Sequence, residues 1–261
     1  MPVRMTLPPT LADRLAASDR PLVGMWVCSG SALNAEIAAG SGLDLVLIDA
    51  EHSPNGPESI LAQLQAVAAY PAAALVRPPF GDTVVIKQYL DLGVQNLLVP
   101  MVDSPEQAAE LVRAVRYPPA GVRGVGSALA RSSRWNRVPG YLADASSTVS
   151  LFVQIESAAA VERVEQIVAV DGVDGILIGP ADLAASMGHL GQQDHPEVVD
   201  AVLRSIRGAA AAGRPAGVNA FAPDAADRYL AEGARFVLVG ADVALLARAS
   251  EALADRFIRD A

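Results

Sequence analysis

The residues with chemical potential in this chain stand where apolar runs break off. Asp49 closes the run "LDLVLID" (43–49), and Glu51 and His52 follow at once. Arg77 lies at the end of "AALVRP" (73–78), and Gln154 and Glu156 at the end of "SLFVQIE" (150–156). Asp182 follows "DGILIGP" (174–180), Asn219 lies in "PAGVNA" (215–220), and Asp242 comes just after "RFVLVG" (235–240). Glu156 and Asp182 follow neighbouring runs and have no histidine or thiolate beside them. Two such carboxylates suit a hard divalent cation such as Mg²⁺ or Mn²⁺. They equally suit two ordinary loop acids, one of them capping the helix after "GPAD". Asp49, three residues before His52, could hold one imidazole nitrogen and leave the other as an acceptor. His52 could instead be a surface residue at a helix start.

A guanidinium at the end of an apolar strand is costly unless an anion meets it. Arg77 therefore either pairs with Glu51 or Asp49, or clamps a carboxylate or enolate oxygen. The backbone N–H groups of Ala181 and Asp182, at the start of a short helix, could also receive an anion. A positioned general base contributes about 3–5 kcal/mol to a rate, whereas useful enzymatic accelerations begin near about 8 kcal/mol. His52 alone falls short, and a Lewis-acidic metal can supply several kcal/mol more. Base, metal and arginine together fit proton chemistry next to a carbonyl, such as enolisation of a 2-oxo acid. Acyl transfer fits poorly, because no nucleophile is evident. Cys28 reads as a small packed residue. His189 and His195 read as solvated loop histidines. "GVRGVGS" (121–127) lacks the spacing of a phosphate-binding loop, and Arg131, Arg134 and Arg137 around Trp135 are either a solvated basic loop or a lid over a second substrate.

These positions need a scaffold. Eight nearly continuous apolar runs, beginning with "PLVGMWV" (21–27) and including "QNLLVPM" (95–101), alternate with alanine-rich helical stretches. Continuous runs suit strands buried on both faces. The pattern predicts an α/β fold, a (β/α)₈ barrel in a single domain over 1–261, with a doubly wound sheet as the alternative. In a barrel the loops after the strands build the active site. Ser104, Pro105 and Gln107 predict an N-cap, first position and capping box for the helix after the fourth strand. Two stretches break the rhythm, 118–148 and 187–197, and the first is expected to be a long active-site loop.

The bulk numbers set limits. The chain has 261 residues, a net charge of −9 and one cysteine. An acidic surface repels phosphate backbones, so nucleic-acid partners are not expected. A single cysteine excludes an internal disulfide and suits a reducing, cytoplasmic setting. No run approaches the roughly 18 apolar residues of a membrane span, and the first 20 residues lack a signal-peptide core.

The motifs "DLVLIDAEHSPN", "LVRPP", "IKQYLDLGVQNLLVPMV", "YPPAGVRGVGSALARSSRW", "VQIES" and "IGPADLAASMG" closely resemble the metal-dependent pyruvate aldolases of the HpcH/HpaI family, over nearly the whole chain. The resemblance implies a (β/α)₈ barrel whose last helix swaps with a neighbouring subunit, and a homohexamer. It implies Glu156 and Asp182 as ligands of Mg²⁺, Mn²⁺ or Co²⁺, with Gln154 shaping the site. It implies His52 as the base with Asp49 as its partner, Arg77 as the residue that stabilises the enolate, and the amides of Ala181 and Asp182 as receivers of the pyruvate carboxylate. The implied reaction is reversible cleavage of a 4-hydroxy-2-oxo acid to pyruvate and an aldehyde. Related reactions on the same enolate are the alternatives: oxaloacetate decarboxylation or a citrate-lyase-type reaction on an acyl-CoA thioester.

Overall fold

A computed structural model describes residues 3–258. Eight parallel strands hydrogen-bond in sequence order and close on themselves as a barrel. They are β1 (Leu22–Val27), β2 (Leu45–Asp49), β3 (Ala73–Arg77), β4 (Asn96–Val99), β5 (Ser150–Ile155), β6 (Gly175–Ile178), β7 (Ala216–Asn219) and β8 (Phe236–Ala241). The outer helices are α2 (Ala32–Ala39), α3 (Pro57–Val67), α4 (Thr83–Asp91), α5 (Pro105–Val115), α7 (Ala158–Val161), α8 (Val164–Val168), α9 (Pro180–Ser186), α10 (Pro196–Ala211) and α11 (Pro223–Ala231). They are joined by α1 (Leu11–Ala17) before β1, a short α6 (Tyr141–Asp144) before β5, and the terminal α12 (Asp242–Phe257). This is the (β/α)₈ barrel that the alternating runs predict.

Side chains along a strand alternate between the barrel axis and the helices. The alternation explains how an apolar run delivers polar groups. On β2, Leu45 and Leu47 join the cluster that fills the barrel, while Val46 and Ile48 pack outward against helices. Asp49 is next in the inward column. On β3, Ala73 and Leu75 point in and Arg77 follows. On β5, Phe152 points in, and Gln154 and Glu156 follow. On β1, Leu22 and Trp26 point in. The inward columns of β1, β2 and β3 are apolar at the bottom and turn polar or aromatic toward the carboxyl end.

The bottom is plugged. Leu11 and Leu15 of α1 belong to the same interior cluster as Leu45, Leu75 and Leu98. The plug helix starts at a capping box: Thr10 accepts from the Asp13 amide, and the Asp13 carboxylate accepts from the Thr10 amide. The spacing "TLAD" carried this signal. In the middle, Phe152 and Phe236 meet edge-on with ring centroids 5.7 Å apart. Gly217 leaves the space that the Phe236 ring occupies; a Cβ there would fall 2.2 Å from its Cζ.

Two expectations need correction. The cap before α5 forms, since the Ser104 hydroxyl accepts from the Gln107 amide at 3.2 Å. The Gln107 side chain, however, accepts from the Asp103 amide at 2.7 Å instead of closing a capping box on Ser104. More consequentially, the segment 118–148 follows α5 and precedes β5, so the chain has already returned to the amino-terminal face of the barrel. There the Gly93 turn abuts Arg131 and Arg134, Gln95 donates to the Thr148 carbonyl, and the Met5 amide donates to the Arg137 carbonyl. Within this chain the segment packs at the amino-terminal face, away from the mouth. Its length pointed to function, but its place between a helix and the next strand decides its face.

Candidate active site

At the carboxyl-end mouth, β2 and β3 pair with Asp49 directly opposite Arg77. Both side chains are buried. Arg77 Nε donates to Asp49 Oδ1 at 2.8 Å. Arg77 Nη1 lies 2.8 Å from Glu51 Oε2 and donates to Gln154 Oε1 at 3.4 Å. The guanidinium also stands over the Trp26 ring, 4.4 Å from its centroid, and Trp26 Nε1 donates to Asn219 Oδ1 at 2.8 Å. Arg77 is thus fixed by β1, β2 and β5 at once. Its Nη2 has no acceptor among the described residues.

Asp49 organises the turn that follows it. Its carboxylate accepts from the amides of Glu51 (3.1 Å) and His52 (3.3 Å) and from the Ser53 hydroxyl (3.1 Å). Asn55 ties the same turn to the Asp49 carbonyl at 2.6 Å. Burial pushes the Asp49 carboxyl up, but Arg77 and the turn's donors outweigh it and hold it below the usual carboxylate range. The contact between Asp49 and His52 is therefore through the backbone amide. The expectation that Asp49 holds the ring is not met, because its oxygens are taken by Arg77 and the turn. The imidazole is 67% exposed, and its nearest acid is Glu51, with Nε2 3.9 Å from Oε1.

Glu156 follows β5 and is buried. Its Oε1 accepts from the Met101 amide at 2.6 Å, and its Oε2 accepts from Gln154 Nε2. Met101 has a φ of +55°, a conformation rare outside glycine. The strain aims its N–H at the carboxylate, and strained backbone of this kind clusters at functional sites. Gly179 leaves the network open: a Cβ there would lie 2.9 Å from Gln154 Nε2 and 3.1 Å from Glu156 Oε2. Asp182 stands exposed in the first turn of α9, beside Ala181.

The electrostatics join these groups. Burial, reinforced by the charges of Glu51 and Asp182, pushes the Glu156 carboxyl up to about 7. Burial also raises Glu51, with Arg77 and His52 opposing and Asp49 and Asp182 adding. Four carboxylates (Asp49, Glu51, Asp182 and Glu156) feel one another around a single guanidinium. Negative charge in excess of cation, on an all-oxygen donor set, is what a hard divalent ion neutralises. Glu51 Oε2 is buried, and its partner is Arg77 Nη1 at 2.8 Å, the same guanidinium that Asp49 shares.

Two remaining candidates lie beside the network without joining it. Cys28 lies near Asp49 and Ser53, and burial raises its thiol to about 11, so it is protonated and packed. The Asp242 carboxylate accepts from the amides of Cys28 (2.8 Å) and Ser29 (3.2 Å) and fixes the turn after β1. Sequence reasoning missed Trp26 as the shelf beneath Arg77 and Met101 as a donor. It named Glu51 only as a possible ion-pair partner. The parity of the inward columns could have found Trp26; nothing in "VPMV" signals a left-handed methionine.

A (β/α)₈ barrel with an acid–arginine network at its carboxyl mouth is the architecture of an enzyme that carries its chemistry on the loops after its strands. Residues 22–249 match the family described as HpcH/HpaI aldolase/citrate lyase, and the chain belongs to that family. It is 56% identical over 260 residues to the hydroxypyruvate/pyruvate aldolase of Deinococcus radiodurans, covering 98% of this chain and 94% of the relative. It is 53% identical to the 4-hydroxy-2-oxo-heptane-1,7-dioate aldolase of Shigella sonnei, covering 91% of each. A crystal structure of an HpcH/HpaI aldolase/citrate lyase family protein from Burkholderia cenocepacia superposes with a TM-score of 0.91 at 39% identity, over 95% of this chain and 99% of that one. The protein is an aldolase, a carbon–carbon lyase.

Proposed function

We propose that this aldolase reversibly cleaves a 4-hydroxy-2-oxo acid to pyruvate and an aldehyde with the help of a divalent cation. The observation that carries the reading is the buried Asp49–Arg77–Gln154–Glu156 network with its excess of carboxylate. Glu156 and Asp182 would hold Mg²⁺, Mn²⁺ or Co²⁺. When bound, the cation supplies Lewis-acid stabilisation of negative charge on the oxo acid. The protein's own groups do the rest. The first-turn amides of Ala181 and Asp182 have no intrahelical acceptors and receive the substrate carboxylate. His52, exposed at the mouth, takes the proton of the 4-hydroxyl. The bond between carbons 3 and 4 breaks, the aldehyde leaves, and the electron pair becomes the pyruvate enolate. Arg77 offers Nη2 to the enolate oxygen from a position already fixed by Asp49, Glu51 and Trp26, so little reorganisation is needed as charge develops. A proton returned to carbon 3 completes pyruvate; in synthesis the same base takes it from the methyl group.

We further propose a cytoplasmic setting and a homohexameric assembly. A protonated, half-buried Cys28 accords with a reducing cytoplasm. No described helix is long and apolar enough to cross a membrane. The α12 helix buries none of its residues, which accords with docking on a neighbouring subunit in a homohexamer. Incubation of the protein with a 4-hydroxy-2-oxo acid and Mn²⁺, read by product mass, tests the reaction. Pyruvate and aldehyde in equal amounts are expected, and turnover only of oxaloacetate or of an acyl-CoA thioester would overturn it.

A further inference from the structure

The 187–195 loop joins α9 to α10 and contributes no side chain to the Asp49–Arg77–Gln154–Glu156 network. His189 sits just after α9, His195 is the N-cap of α10, and Glu197 lies in the first turn of α10. One ligand atom from each of the three lies within 4.8 Å of the others. His189 Nε2 is 2.9 Å from Glu197 Oε2. The two imidazoles stack with centroids 3.6 Å apart and planes 17° from parallel.

The backbone holds the three in place. The His189 amide donates to the Ala184 carbonyl at 2.7 Å, the Gln192 amide to the His189 carbonyl at 2.8 Å, and the His195 amide to the Gln192 carbonyl at 3.0 Å. His195 Nδ1 accepts the Glu197 amide at 3.3 Å, which leaves its Nε2 uncommitted. Ligand atoms on a tetrahedral ion with bonds of about 2.0–2.1 Å stand roughly 3.4 Å apart. The ligand atoms here lie within 4.8 Å of one another, so binding an ion requires them to draw closer and the stacked rings to turn toward it. Both histidines are half-buried and Glu197 is exposed, so a fourth position would open to solvent.

We propose that His189, His195 and Glu197 form a second cation site, for a borderline transition ion such as Zn²⁺. Two imidazoles and one carboxylate select such ions over Mg²⁺, in contrast to the all-oxygen set at the barrel mouth. The bound ion clamps the end of α9, the helix that carries Asp182, to the start of α10. The site is independent of the aldolase reading.

The chain has only three histidines, which makes the test direct. Zn²⁺ is titrated into chelator-treated protein labelled with ¹⁵N-histidine, and the imidazole signals are followed by NMR. The site predicts that Zn²⁺ shifts the ring signals of His189 and His195 together, in addition to any change at His52. His189→Ala should weaken binding at this site at least tenfold, abolish the shift at His195, and leave Mg²⁺-supported turnover unchanged. Signals of His189 and His195 that stay put at saturating Zn²⁺, or the same Zn²⁺ stoichiometry in wild type and His189→Ala, would overturn the site and leave a helix cap beside an ion pair.

Discussion

At the scale of residues, the site divides into groups that are buried and held and one that is free. His52 is exposed, so His52→Ala should cost stability no more than about 0.5 kcal/mol while lowering kcat by roughly 10²–10⁴-fold. Steady-state kinetics beside thermal melting separates the two effects. Arg77 is different, because removing it strands Asp49 in the interior. Arg77→Ala should lose both kcat and about 3–5 kcal/mol of stability. Arg77→Lys should not restore turnover, since an ammonium cannot contact Asp49, Glu51, Gln154 and the Trp26 face together. Glu156 carries a pH signature. Its carboxyl rises from 4.5 to about 7 on folding, with burial the leading cause. The folded state then holds a proton that the unfolded chain has released, so stability falls as pH climbs from about 4.5 to about 7, by on the order of 3 kcal/mol. In chelator-treated protein the melting-temperature difference between wild type and Glu156→Gln should shift against wild type from pH 5 to pH 8, and Mn²⁺ should reverse the shift in wild type. A difference that is flat with pH would mean that Glu156 ionises normally. The positions of Asp49, Arg77, Gln154 and Glu156 were legible because each ends an apolar run. Their partners were not. Nothing in "IDAEH" shows that Asp49 accepts the His52 amide while the ring turns to solvent.

At the scale of elements, strand alternation connects the sequence to the site. A run such as "LVLID" reads as uniformly apolar, yet every second residue faces the barrel axis, and the last inward residue is the acid. The eight strands were visible for that reason. Less visible were the elements whose neighbours define them. The α1 plug carries only a short capping signal, α10 begins inside what reads as a polar loop, and the 118–148 segment shows its face only through its place between α5 and β5. The tight middle layer gives a sharp test. Gly217→Ala would drive a methyl into the Phe236 ring. It should destabilise by about 1–3 kcal/mol or more, read as a lower denaturant midpoint at unchanged m-value. Near-native stability would show that Phe236 can move aside and that the interior is looser than described.

At the scale of the whole molecule, the barrel is closed and filled, but its last helix is not covered. Leu245, Leu246, Leu253 and Phe257 of α12 are all more than half exposed. A helix with that many exposed apolar side chains marks an interaction surface. Leu246→Asp with Leu253→Asp should therefore shift the native mass toward the monomer, measured by light scattering, with the barrel's circular dichroism retained; an unchanged mass would exclude α12 from the interface. In the proposed reaction, carboxylates converging at the barrel mouth hold a divalent cation against a 2-oxo acid. The most direct measurement is exchange of the pyruvate methyl protons in D₂O, followed by NMR. Wild-type protein should catalyse exchange with Mn²⁺ or Mg²⁺, lose it in EDTA and regain it on re-addition, while Glu156→Gln stays silent throughout. Exchange that persists in EDTA, or in Glu156→Gln, would contradict it.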